Sequence, residues 1–125
     1  MSALIEESSP VDQITLSTEG DETTLFHPAG GMLTYKQSGG AGGYLEILTL
    51  GVEPEERGHG IGFLLINRAR QEAAHVGCRA LVVHELTTPD VDPKDVAQFM
   101  HFAGFQKNAS GWRMELTRNG FPKSR

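Results

Sequence analysis

The sequence predicts an α/β fold, a mixed β-sheet with about two flanking helices. Three observations predict it. Strand, helix and strand patterns follow one another from Tyr44 to His84, which calls for a parallel, right-handed crossover. A second helix is bracketed by its own start and stop signals, Asp92-Pro93 and Gly104. Short alternating segments separated by polar or glycine-rich turns stand on either side. The length, 125 residues, is close to the commonest domain size and suffices for a core without metal or disulfide staples.

The elements follow in order. Residues 1–12 are polar, acidic and interrupted by Pro10, and are expected to form a flexible N-terminus. Gln13-Ile14-Thr15-Leu16-Ser17 alternates as a strand does, and Thr23-Thr24-Leu25-Phe26-His27 is the second such segment. Met32 to Lys36 is a third, and 38–43, rich in glycine, is a loop. Tyr44 to Val52 is the strongest strand. Leu45 and Ile47 line one face and Tyr44, Leu48 and Leu50 the other, so burial on both faces is expected. Ile61, Leu65, Ala69, Ala73 and Val76 recur at helical spacing, and Gly77 ends that helix. Arg79 to His84 is a buried-type strand. In the second helix, Asp92 caps, Pro93 starts, and Val96, Phe99, Met100 and Ala103 face inward. Gln106-Lys107 and Trp112 to Thr117 make a final hairpin, and 119–125 is expected to be a flexible tail.

Composition excludes several function classes. The 16 acidic residues exceed the 11 basic ones, for a net charge of −5, and no basic run offers a nucleic-acid footprint. The lone cysteine, Cys78, rules out an intramolecular disulfide and fits a reducing compartment. The N-terminus lacks a basic and apolar leader, and no run approaches the roughly 20 apolar residues of a membrane span. A cytoplasmic location is expected. The 5 histidines show no ligand spacing, so no metal is expected.

The chemistry is concentrated in Val52-Glu53-Pro54-Glu55-Glu56-Arg57-Gly58-His59-Gly60-Ile61-Gly62, which runs from the strongest strand into a helix. Alternate glycines bare the backbone N–H groups, and the helix start adds free donors and partial positive charge. Such a turn suits a phosphate or pyrophosphate, with Arg57 adding charge. The spacing alone fits equally a tight turn without a ligand. A nucleotide P-loop would need a lysine that is missing here. A dinucleotide fingerprint would need its third glycine one residue later.

The run V-E-P-E-E-R-G-H-G-I-G resembles motif A of the GNAT superfamily of N-acetyltransferases. Farther on, A-Q-F-M-H-F-A-G-F, residues 97–105, resembles the family's last-helix block A-x-x-F-Y-x-x-x-G-F. The resemblance covers about residues 44–117 and implies a single GNAT-like domain over 13–118. It implies a sheet splayed open between the Tyr44–Val52 and Ala80–His84 strands, with acetyl-CoA as cosubstrate in the opening. The pantetheine arm is then expected along the backbone of Leu50, Gly51 and Val52. The pyrophosphate is expected on Arg57, Gly58, His59, Gly60, Ile61 and Gly62.

Attack on a thioester requires a neutral amine, hence a base. Glu46 is the candidate. It shares a predicted face with Tyr44, Leu48 and Leu50, an environment expected to favour its protonated form, and it stands 11 residues before Arg57. The family's histone acetyltransferases carry their glutamate base at the same interval. His84 and Glu85 are runners-up. Met100 stands where many members have a thiolate-protonating tyrosine, with His101 beside it, and Lys94 or Asp95 replaces the family's asparagine. Members commonly insert two helices between their first and second strands, but only Thr18 to Glu22 are available here. The acceptor side is therefore expected to be open, or completed by a second subunit in a homodimer. An open side favours a protein or peptide amine over a small molecule. The alternatives are a catalytically inactive acyl-CoA-binding module and a nucleotide-binding domain.

Overall fold

A computed structural model describes residues 13–40, 42–84 and 92–123. The expectation of a flexible segment at 1–12 falls outside them, as does Glu85. The strands are β1 (Thr15–Glu19), β2 (Glu22–His27), β3 (Gly31–Ser38), β4 (Tyr44–Val52), β5 (Ala80–Val83), β6 (Gln106–Asn108) and β7 (Gly111–Glu115). The helices are α1 (Ile61–Val76) and α2 (Pro93–Phe102). The strands form one 7-stranded sheet in the order β1-β2-β3-β4-β5-β7-β6. Every pairing is antiparallel except β4 with β5. This is the mixed α/β sheet that the strand–helix–strand pattern implied.

The order places both helices on one face. The β4–α1–β5 and β5–α2–β6 connections are parallel crossovers that step in the same direction across the sheet. Right-handedness then sends α1 and α2 to the same side. There Phe99 of α2 lies against Gly62 of α1, and the Phe63 and Phe99 rings sit with centroids 4.7 Å apart. Leu25, Leu33, Leu45, Ile47, Leu65, Ala69, Leu81, Met100, Phe105 and Met114 form the core between this helical layer and the sheet. Asp92 accepts the Lys94 N–H at 2.8 Å, capping α2 as its sequence indicated. The opposite face of β1–β4 carries no helix among the described residues.

One expectation about β4 is corrected. The register runs Thr34↔Thr49 and then Tyr35↔Ile47, so Leu48 has no partner and forms a bulge. The extra residue reverses the alternation. Leu50 joins Leu45 and Ile47 in the core rather than sharing a face with Tyr44 and Glu46. The second face of β4 is not buried: Tyr44, Glu46 and Leu48 are half-buried and Thr49 and Gly51 exposed.

Past β7 the chain turns back on itself. Leu116 bridges Pro122, and the Lys123 N–H donates to Glu115 O at 2.9 Å. Arg70 of α1 reaches across to donate to Gly120 O at 2.9 Å, with its guanidinium 5.7 Å from the Phe121 ring centre. Among the described residues no helix is long and apolar enough to cross a membrane.

Candidate functional site

β4 and β5 pair only at Tyr44↔Ala80, Leu45↔Leu81 and Glu46↔Val82. Beyond Glu46 the two strands diverge. The β4 edge from Ile47 to Val52 that faces β5 has no strand partner among the described residues. A free strand edge offers N–H and C=O groups to any extended, amide-bearing chain. The Leu48 bulge lies just past the last paired residue, so the strand bends where the opening begins. Glu46 is at the apex, half-buried, on the face away from the helices.

The open edge leads into the glycine loop. Pro54–Glu56 makes one turn of 3-10 helix, and extended Arg57 follows. Gly58 and Gly60 then take φ of +88° and +83°, with nothing within 4 Å of where a Cβ would sit. L-residues pay about 1–2 kcal/mol for this left-handed conformation, which accounts for two of the glycines. Gly60 caps α1 without a side-chain acceptor, and the first intrahelical bond is Leu64 N–H to Gly60 O at 3.0 Å. The N–H groups of Ile61, Gly62 and Phe63 are therefore free of intrahelical partners at the positive end of a 16-residue helix. A bare strand edge running into an uncapped helix start fits a ligand with an amide arm and a diphosphate.

Comparison with known proteins agrees with this geometry. The model of the acetyltransferase (GNAT) family matches residues 11–102. The chain belongs to the GNAT family. It is accordingly an acetyl-CoA-dependent N-acetyltransferase. Solved GNAT structures share the fold. One, a GNAT-family acetyltransferase from Desulfovibrio desulfuricans, is 19% identical with TM-score 0.65, covering 76% of this chain and 69% of its own. A Bacillus subtilis acetyltransferase solved with CoA is 15% identical with TM-score 0.54, covering 78% of each chain. An Escherichia coli GNAT-family N-acetyltransferase, also solved with CoA, is 16% identical with TM-score 0.53, covering 79% of this chain and 60% of its own. A comparison with curated proteins returns no match.

This GNAT chain joins its first two strands by a tight turn, with Glu19 paired directly to Glu22, so no helices intervene. Of the residues singled out from sequence, Gly51, Val52 and the Arg57–Gly62 loop adjoin the opening. The Leu50 side chain is buried in the core. Arg57 donates from Nε to Val52 O at 3.1 Å, tying the loop to the strand end. His59 is exposed, 3.4 Å from Glu56. Ile61 is a core residue packed toward Gly31. Gly62 faces Phe99: a Cβ there would come within 3.0 Å of the ring. Its small size serves helix packing. His84 stands one residue past the end of β5, on the other wall of the opening, with Nδ1 3.4 Å from Ser110 O. Met100 is 1% exposed and belongs to the core, so no proton donor stands at that position. No group of His, Cys, Asp and Glu suited to a metal occurs among the described residues.

Sequence reading placed Tyr44 on the face of Glu46 but missed Arg113 as a neighbour of the apex. Arg113 pairs across β5 with Val82, the partner of Glu46, and its guanidinium lies 5.9 Å from the Tyr44 ring centre. Only the sheet order brings β7 to this place, and nothing local in the sequence announces it.

Proposed function

We propose that the protein acetylates a primary amine of a protein or peptide, a lysine side chain or an N-terminal amine, in the cytoplasm. The position of Glu46 carries this reading. It is the last paired residue before β4 and β5 part, on a face that no described helix covers. An amine presented from that face meets a carboxylate at the apex of the opening. Glu46 accepts the amine's proton, and the nitrogen lone pair attacks the thioester carbonyl. The carbon–sulfur bond breaks and CoA leaves as thiolate. A thiol pKa of about 8.5 lets it leave near neutrality without a general acid, so the buried Met100 does not preclude turnover. The Arg57–Gly62 loop holds the diphosphate, and the free β4 edge near Gly51 and Val52 takes the pantetheine amides. His84, on the far wall, is a weaker candidate base.

Mass spectrometry of proteins and peptides incubated with isotopically labelled acetyl-CoA tests the acceptor class. Acetylation of polyamines but of no protein would overturn it. The position of Met100 favours a second reading, a module that binds acyl-CoA without turnover. Calorimetric CoA binding with no acetyl transfer to any amine would decide for that alternative.

A further inference from the structure

The face of β1–β4 that no described helix covers is built in three rows that the strand register brings into line. Glu19, Glu22, Lys36 and Glu46 are successive cross-strand partners, so one row of charged side chains runs from the sheet edge to the apex of the opening. The next row is Ser17, Thr24, Thr34 and Thr49, with the Thr24 and Thr34 hydroxyls 2.9 Å apart. The third is Thr15, Phe26, Met32 and Gly51, in which Phe26 is 42% and Met32 40% exposed. Three carboxylates face one ammonium in the charged row, and Lys36 is in none of the ion pairs found among the described residues.

We infer that this face is the docking surface for the acceptor chain, and that the acceptor is basic polypeptide with a cationic side chain about four residues from the acetylated amine. The inference rests on the proposed function and specifies its substrate. The distance follows from sheet geometry. Glu19 and Glu46 lie three strands apart, about 14 Å at sheet spacing, which about four residues of extended chain span. An amine at Glu46 therefore places a cation at Glu19 and Glu22. The Phe26–Met32 patch lies about 13 Å from the charged row, two steps along the strands, and takes an apolar side chain of the same acceptor. A second copy of this chain suits the face poorly, since its predominantly acidic row would meet itself in a two-fold contact.

The probes are synthetic peptides with blocked N-termini, each with one lysine and either arginines or glutamates four residues to both sides. The arginine peptide is expected to show a KM about tenfold below that of the glutamate peptide, with the difference shrinking at high salt. The double variant Glu19→Lys/Glu22→Lys is expected to abolish or reverse the preference while calorimetric CoA affinity holds. The two residues are exposed and face each other as like charges in either form, and the exchange gives up only the surface attraction of Glu22 for Lys36, so the variant keeps the fold. Equal KM values for both peptides, or an unchanged preference in the double variant, would overturn the inference while leaving turnover of ethylamine intact. Loss of all amine turnover in the wild-type protein would instead overturn the function beneath it. A dimer in sedimentation that Phe26→Glu disperses would also overturn it, assigning the face to a second copy.

Discussion

Gly58 and Gly60 sit at positive φ with open space around them, whereas Gly62 is pressed against a phenyl ring. The glycines that look alike in sequence thus answer to different constraints, and substitution separates them. Gly60→Ala meets no neighbour but strains the backbone by about 1–2 kcal/mol. The loop is expected to relax from its anion-binding shape, so calorimetric CoA affinity falls about tenfold or more. Gly62→Ala gains up to about 1 kcal/mol of helix propensity but crowds Phe99, for a net loss of about 1 kcal/mol. It should lower the urea midpoint and leave CoA affinity of the folded protein near wild type. Glu46→Gln keeps shape and removes the base. Its kcat should drop by about 10²–10⁴-fold with CoA affinity unchanged; a smaller drop would transfer the role to another group.

At the level of single elements, β4 was legible in its limits but not in its shape. Its bounds, Tyr44 to Val52, match the apolar run, yet simple alternation puts Leu50 on the wrong face. A bulge is decided by pairing with β3, where Tyr35 answers Ile47, and no local pattern encodes that. The α2 helix was legible because its signals are local: Asp92 caps, Pro93 starts, and Met100 points inward. The β1–β2 hairpin carries a different signature. It ends with Glu19 facing Glu22 across the ladder, an unfavourable like-charge pair. Glu19→Lys, which removes that repulsion and leaves Glu22 facing Lys36, is expected to raise stability by about 0.5 kcal/mol, seen as a higher Tm. It should also weaken acetylation of the arginine peptide. A variant that gains stability while losing that substrate would identify the pair as functional.

For the molecule as a whole, motif A and the last-helix block revealed the family, and with it the splayed sheet. What they could not reveal is the sheet face that no described helix covers. It follows from the absence of helices between β1 and β2 together with two crossovers that send both remaining helices to the other side. The helical side holds the buried ionisable groups. Burial raises the Tyr35 phenol above its ordinary value, with Glu72 adding to the effect, and burial raises the Cys78 thiol as well. Both groups therefore hold their protons more tightly in the folded state than in the unfolded chain. Their contribution to stability is complete below the unfolded thiol value, about 8.5. As pH rises past that value and then past about 10, the unfolded chain sheds protons that the folded protein retains, and stability declines until the folded values are passed. Urea midpoints should thus fall across the alkaline range. In the Tyr35→Phe/Cys78→Ala double variant the same fall should be shallower, even though its midpoint near neutrality is lower. An alkaline slope identical in the two proteins would place the titrating groups elsewhere.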